Sequence, residues 1–351
     1  MSMIINKLPS ITWNRLKVNS TSVDINIEKG GKFISEVPSD ISLKVSEEVS
    51  DKSLENGMGA AFNDYITSLK LPVHSFFVVE KSVVEEPLRL KFAYDEVSNV
   101  GNIIELHIAK DSQVTVIMDY SAVKDLDSVA AVQTRVHLED NAKLTLIQIQ
   151  LIDKELTFFN DIAANCAKGA EFELTQIIIG DKATYQGSKV LLAGDDSVVQ
   201  ANVAYLVRDN DKLDMNYIAV HEGKLTTSRL YTRGVLRDKA DKTFRGTIDI
   251  KLGAANASGQ ESETVLLIDE GVVNKTIPII LCAEEDVVGT HGASIGNLDK
   301  EMLFYLTSRG MDKESVTKMV ARARIDAVSK KLENEALEEK INLYFGGSED
   351  E

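Results

Sequence analysis

Short apolar runs separated by turn residues dominate the chain from about residue 73 to residue 284. Examples are residues 129–138, 144–151 and 198–207, and the breaks between such runs are rich in Gly, Asp and Asn. Runs of this length, continuous or alternating, are typical of β-strands. No stretch of helical periodicity lies between them, so a sheet built from βαβ units is not expected. The pattern predicts a mainly-β core.

Proline is missing from most of this region, since the five prolines stand at positions 9, 38, 72, 87 and 278. Every strand between them can donate its backbone N–H groups on either side, as strands inside a sheet must. Two similar phrases, residues 141–146 and 169–174, lie 28 residues apart, which is a plausible length for one coil of a solenoid. The pattern itself fits a large β-sandwich and a β-solenoid equally well.

The two ends of the chain read differently from the middle. Residues 47–69 carry apolar side chains at helical spacing after a mixed N-terminal stretch. Near the C-terminus, Asp312 is a candidate helix N-cap, and an apolar stripe that includes Val316, Met319, Val320, Ala323 and Ala327 follows it. We therefore expect an N-terminal α/β segment over 1–72, a β core over 73–296, a helical domain over 297–345 and a disordered tail over 346–351.

Composition excludes several functional classes. The net charge is −16 and the pI about 4.9, which argues against nucleic acid or an anionic membrane as the main partner. The only cysteines, Cys166 and Cys282, form no C-x-x-C pair, so neither a disulfide framework nor a thiolate zinc cage is expected. Because no signal peptide or transmembrane run is evident, we expect a cytoplasmic protein.

The most specific sequence motif in the chain covers residues 290–311. It places His291 in a stretch of small residues that predicts a loop, followed at once by an amphipathic helix candidate. The segment resembles the C-terminal signature of the SufB/SufD family, the scaffold proteins of iron–sulfur cluster assembly. The matching positions are His291, Ala293, Ser294, Gly296, Leu298, Glu301, Leu303, Phe304, Tyr305, Arg309 and Gly310.

Two further segments extend the resemblance from about residue 58 to the C-terminus. Residues 63–87 are similar to the family's entry segment, with Ser82 in place of its usual glycine, and residues 244–260 are similar to its F-x-G-x-I…Q segment. The resemblance implies a right-handed parallel β-helix core with a C-terminal helical domain. It also implies a scaffold subunit that pairs with a SufB-like subunit and docks a SufC-like ABC-type ATPase.

His291 is the candidate metal ligand. By the resemblance, His291 matches the SufD histidine that meets a cysteine of SufB. This match makes His291 a candidate ligand for iron or an Fe–S cluster at a subunit interface. A lone imidazole in a loop is otherwise a structural hydrogen-bonding group. Val272 stands where SufB proteins have a cysteine, so the chain resembles SufD more than SufB. Gly289 stands where SufD relatives often have a cysteine.

A partner must supply the energy, because the sequence contains no phosphate-binding loop or dinucleotide fingerprint. We therefore expect no enzymatic activity and no tightly bound cofactor. The resemblance implies a transient Fe–S cluster at the heteromer interface, and whether the isolated chain forms a homodimer stays open. Candidate ATPase-docking residues on the C-terminal helices are Phe304, Tyr305, Arg309, Met319, Val320 and Arg322. Their mixture of basic and apolar side chains suits a partner subunit.

Two other functions stay open. A β-helix carbohydrate-active enzyme would need clustered carboxylates on one face, and a purely structural binding module would need no metal. Both cysteines are expected to be buried, unreactive side chains. The remaining histidines, at positions 74, 107, 137 and 221, show no His–carboxylate pattern, and most of them are expected to be structural.

Overall fold

The computed structural model describes residues 1–12, 14–94, 96–122, 127–152, 155–180, 182–330, 338–339, 341–342 and 345. The predicted disordered tail, residues 346–351, lies outside this range. Before the core come β1 (Ser2–Ile5), a 3-10 turn (Asn14–Leu16), β2 (Thr21–Asp24), β3 (Lys29–Gly30), β4 (Ile34–Glu36), β5 (Ile41–Ser46) and α1 (Ala60–Ser68).

Sixteen consecutive strands form the core. They are β6 (Val73–Val78), β7 (Leu88–Tyr94), β8 (Val100–Ile108), β9 (Gln113–Ala122), β10 (Ser128–Leu138), β11 (Lys143–Ile152), β12 (Leu156–Cys166), β13 (Glu171–Gly180), β14 (Ala183–Leu192), β15 (Val198–Val207), β16 (Lys212–His221), β17 (Thr227–Leu236), β18 (Asp241–Ile250), β19 (Ser258–Leu267), β20 (Val273–Cys282) and β21 (Val288–Asn297). Two helices follow, α2 (Lys300–Ser308) and α3 (Lys313–Ser329).

Each core strand pairs in parallel with the strand two places later, which makes a solenoid of about 7 turns. The even-numbered core strands, joined by β5 and β3, form a ten-stranded sheet, and the odd-numbered core strands, joined by β4, form a nine-stranded sheet. The two similar sequence phrases lie in register one coil apart, with Leu144 opposite Phe172. The predicted parallel β-helix is confirmed, and the sandwich alternative is wrong.

Residues that tolerate a left-handed backbone form one corner of the coils. Asp111, Asn141, Gly169 and Asp196 have φ angles between 56° and 65°, a region that Asn, Asp and Gly adopt most easily. The Asn141 N–H donates to the carbonyl of Lys168 and the Gly169 N–H to that of Asp195, both at 2.8 Å. The polar breaks in the sequence are thus the corners that stack one coil on the next.

Apolar side chains fill the space between the two sheets. Inward-facing residues of successive coils, such as Leu106, Val136, Ala164 and Val190, lie above one another in one buried cluster. Burial on this scale is the main source of stability for such a stack.

Other segments cover the outer faces of both sheets. Residues of β1, β2 and α1 pack against the ten-stranded sheet around Ile103 and Phe159, and Ala321, Ile325 and Val328 of α3 pack against the nine-stranded sheet. The predicted apolar stripe on α3 is partly wrong, because Met319, Ala323 and Ala327 are exposed and the buried face is rotated from it. The helix buries the face that fits the nine-stranded sheet, and the spacing of apolar residues in α3 alone does not show where that sheet lies.

Two smaller expectations can also be compared with the structure. The Asp312 carboxylate accepts a hydrogen bond from the Ser315 N–H at 2.8 Å, so the predicted N-cap of α3 is confirmed. None of the described helices is both long enough and apolar enough to cross a membrane.

Candidate functional site at the end of the β-helix

The last strand, β21, has an open edge. All ten of its residues are exposed, and among the described residues it pairs only with β19. His291 lies within this strand, so the predicted loop is wrong. Small residues are typical of loops, but backbone hydrogen bonds to β19 hold this segment in an extended strand.

The direction of the backbone N–H groups follows from the ladder. Val288 and Leu298 donate to carbonyls on the β19 side, to Ala257 at 3.0 Å and to Leu267 at 3.1 Å. Because alternate residues of a parallel strand bond to opposite neighbours, the N–H groups of His291 and Ala293 face the open edge. An unpaired edge of this kind is a template for a strand from another chain.

His291 continues an inward-facing column of the solenoid. It stands opposite Glu261 of β19, and Glu261 is buried on the same face of its strand as the core residue Val265. Residues paired in register point to the same face of a sheet. The His291 imidazole is therefore at the rim, one coil beyond a buried carboxyl group.

A buried ion pair lies next to this column. The Lys242 ammonium is 2.6 Å from Glu263 Oε1, and both side chains are fully buried. The Tyr205 hydroxyl donates to Glu263 Oε1 at 2.9 Å, and the Thr276 hydroxyl donates to Glu263 Oε2 at 2.6 Å. These contacts satisfy the Glu263 carboxylate on both oxygens, as a buried charge requires.

Glu261 has a different environment. Its Oε2 has no hydrogen-bond partner among the described residues, and burial, reinforced by the negative charge of Glu263 and opposed by Lys242, raises its pKa to about 8. Gly246 leaves the room for this carboxyl group, since a Cβ there would collide with it. At neutral pH, Glu261 is thus mainly a neutral acid that can hold a proton directly below the rim.

The described residues place no thiol beside His291 on β21. Val272, at the position of the SufB cysteine, is half-buried and packs against the core. Cys166 is buried, and burial raises the pKa of its thiol to about 12, so it is unreactive as expected. The same expectation for Cys282 is wrong, because this residue is exposed at the end of the edge strand β20.

The candidate docking residues divide into two groups. Phe304, Tyr305, Arg309 and Met319 are exposed, with Phe304 73% and Tyr305 59% accessible. By contrast, Val320 is half-buried against the nine-stranded sheet. Arg322 is also held within the chain, where its guanidinium binds Asp326 and Glu338.

A second cluster was missed in the sequence. Glu105, His107 and His137 each offer a ligand atom, and all three atoms lie within 4.8 Å of one another on the ten-stranded sheet. The two histidines stand opposite each other on neighbouring strands. The expectation that the histidines form no His–carboxylate pattern is therefore wrong, since the pattern appears only when residues 30 positions apart are aligned as adjacent coils.

A family model described as "SUF system FeS cluster assembly, SufBD core domain" matches residues 96–324. The chain belongs to the SufB/SufD family. Members named SufD include one from Bacillus subtilis, 27% identical over 271 residues, which cover 76% of this chain and 62% of that protein. SufD of Escherichia coli is 23% identical over 254 residues, covering 72% of this chain and 60% of that protein.

An archaeal SufBD family protein, from Pyrococcus horikoshii, is 22% identical over 259 residues, which cover 74% of this chain and 55% of that protein. The matches thus span about 60% of the length of these curated relatives. Together with Val272 in place of a cysteine, the SufD relatives make this SufB/SufD family member SufD-like.

Proposed function

We propose that this chain is a SufD-like scaffold subunit of the SUF iron–sulfur cluster assembly system. It pairs with a SufB-like subunit through the open edge of β21, and a SufC-like ABC-type ATPase docks on α2 and α3. The observation that carries the proposal is the unpaired parallel edge that holds the family's histidine, His291, in an exposed position.

The edge suits a partner strand in three ways. Its outward N–H groups lack a partner among the described residues, its side chains are exposed, and Val288 and Ile295 add apolar surface. Strand pairing gives main-chain hydrogen bonds, and alternate side chains set specificity. A second copy of this chain could use the same edge, which would give a homodimer of the isolated protein.

His291 supplies one imidazole ligand for iron or a nascent cluster at that interface. Neutral imidazole suits iron, and the remaining ligands come from the partner, because the described part of β21 carries no cysteine. The cluster is cargo that forms and leaves. Glu261, one coil below, supplies an acid that can exchange a proton near that rim.

The pairing is tested with an Ala293→Pro variant. The proline removes a backbone donor that faces the open edge and leaves the ladder to β19 intact, while Ala293→Val keeps the donor and serves as the matched control. We expect Ala293→Val to co-purify with the SufB-like subunit of the same genome and Ala293→Pro to lose it. Retention by the folded proline variant at unchanged affinity would place the interface elsewhere.

ATPase docking is tested on exposed residues only. Phe304→Ala and Tyr305→Ala should weaken capture of the SufC-like ATPase by about tenfold or more each, because large aromatic side chains dominate interface energies. Leu252→Ala is the control, since Leu252 is 81% exposed on a turn between β18 and β19. Equal capture by all three variants would refute docking on α2.

Energy from ATP belongs to the partner in this proposal. The purified chain should therefore hydrolyse no ATP, and adding the ATPase subunit should restore turnover. Stoichiometric turnover that follows the lone chain through further purification would favour an enzyme over a scaffold.

A further inference from the structure

The Glu105, His107 and His137 cluster has the composition of a metal site. The His107 Nε2 lies 3.4 Å from Glu105 Oε2, and the two imidazole rings are stacked, with centroids 4.7 Å apart and planes within 5°. Phe77 stacks on the other face of His107 at 4.4 Å. The rings are thus held side by side on the outer face of β8 and β10.

Neighbouring side chains fix the orientation of the Glu105 carboxylate. Its Oε1 accepts from the Ser50 N–H at 2.8 Å and from the Ser50 hydroxyl at 3.0 Å, while Oε2 accepts from the Ser75 hydroxyl at 2.9 Å. The first oxygen also faces Arg135, whose Nε is 3.8 Å away. The remaining lone pair of Oε2 points to the His107 side, where it has only the long 3.4 Å contact.

Burial and access are both compatible with an exchangeable ion. Glu105 is buried and His107 is 20% exposed, so one side of the cluster opens to solvent. The Ser50 hydroxyl lies 3.5 Å from His137 Nε2, close enough to bind a water on a fourth position. Hydrogen-bonded carboxylates and oriented imidazoles are the outer support that metal ligands require.

We propose that Glu105, His107 and His137 bind one divalent first-row transition-metal ion, such as Fe(II), Zn(II) or Co(II). Two imidazoles and one carboxylate with open positions are the ligand set used for non-haem Fe(II). Because the nitrogen lone pairs lie in the planes of the two stacked rings, metal binding turns the rings out of this nearly parallel arrangement. The three ligand atoms, now within 4.8 Å of one another, then lie about 2.0–2.2 Å from a common ion.

This site is separate from the His291 rim. It lies on β8 and β10, and β20, at the end of the same sheet, is five strands beyond β10, or about 24 Å at ~4.8 Å per strand. Metal binding at this cluster does not depend on the proposed subunit pairing. The isolated chain should bind a metal ion whether or not a partner is present.

Anaerobic titration of the untagged full chain with Co(II) tests the proposal. We expect one equivalent to bind, with the visible absorption of a cobalt ion bound by histidine, and a His291→Ala variant should bind it equally well. His107→Gln, His137→Gln and Glu105→Gln should each weaken binding by more than about 100-fold, because loss of a direct ligand exceeds the loss of a supporting group.

His74→Gln is the matched control, since His74 lies on the adjacent strand β6 but stands opposite the core residue Ile104. Circular dichroism verifies that each variant is folded. If one variant fails to fold, the two other variants and the wild-type stoichiometry still test whether the cluster binds the ion. Absence of wild-type binding at millimolar Co(II), or wild-type affinity in the folded His107→Gln or His137→Gln chain, would overturn the proposal.

Discussion

Replacing Lys242 by methionine should destabilise the β-helix strongly, although it removes no apolar contact. The lysine ammonium is the only cation that contacts Glu263 in the described structure, at 2.6 Å, and both side chains are fully buried. Methionine keeps the aliphatic stem of the side chain. The variant therefore removes the charge together with the hydrogen bonds that the ammonium donates to Glu263 and Thr276.

The magnitude follows from the burial of the pair. Removing one member of a buried ion pair costs about 3–5 kcal/mol, because the other charge is left uncompensated. Glu261, two residues before Glu263 on the same face of β19, adds a second carboxyl group to the unbalanced site. In the double variant Lys242→Met/Glu263→Gln, both charges are gone. The glutamine amide oxygen can still accept from the Tyr205 hydroxyl, and its NH2 group can donate to the Thr276 hydroxyl, so we expect the loss to shrink to about 1–2 kcal/mol.

Urea denaturation followed by far-ultraviolet circular dichroism measures these differences from the shift in midpoint. Lys275→Met is the matched control, because Lys275 pairs with Asp241 at 3.1 Å but both are partly exposed, and its loss should cost less than about 1 kcal/mol. A Lys242→Met chain as stable as the Lys275→Met chain would refute the reasoning. So would a double variant whose loss equals the sum of the two single losses.

Three further predictions follow from single sites. Burial lowers the pKa of His221 to about 4, so the imidazole binds a proton more readily in the unfolded chain. The unfolding free energy should therefore fall by up to about 3 kcal/mol as the pH falls from ~6.5 to ~4. A His221→Gln chain whose stability fell with pH by the same amount would contradict this. Gly246→Ala should lower the unfolding free energy by about 1–3 kcal/mol, because its new Cβ would collide with the Glu261 carboxyl group. Gly292→Ala is the control: a Cβ there meets nothing within 4 Å, so its stability should change by less than ~0.5 kcal/mol. Equal urea midpoints for the two variants would show that Glu261 moves aside freely. His291→Ala should change the unfolding free energy by less than ~0.5 kcal/mol yet fail to complement a strain that lacks the native gene under iron limitation, and full growth would restore a structural role for this histidine.

The strands that could be predicted are those with continuous or alternating apolar residues. The run at 198–207 coincides with β15 and the run at 129–138 fills all but the first residue of β10. Strand β14 carries Gln186, Gly187, Ser188 and Lys189 in its centre. Gln186 is hydrogen-bonded to Gln150 and Gln176 inside the coil, and Lys189 pairs with Glu55 outside it. Local propensity cannot report such pairing, because the partners come from other segments of the chain.

Sequence patterns also predict only some of the functional residues. His291 could be selected from a contiguous motif, but its place in a strand depends on the ladder to β19, which sequence patterns do not contain. Glu105 and His137 are brought together only by the coil register. His107 and His137 are 30 residues apart, whereas the two similar phrases are 28 residues apart. Only a search that let the coil length vary would have paired the two histidines.

Native mass spectrometry of the assembly purified from the protein's own cells tests the central claim most directly. We expect a heteromer that contains this chain, a SufB-like subunit and a SufC-like ATPase, and that loses the SufB-like subunit when the Ala293→Pro variant replaces the wild-type chain. A chain recovered only as a monomer or with copies of itself, or a heteromer unchanged by the proline, would contradict it.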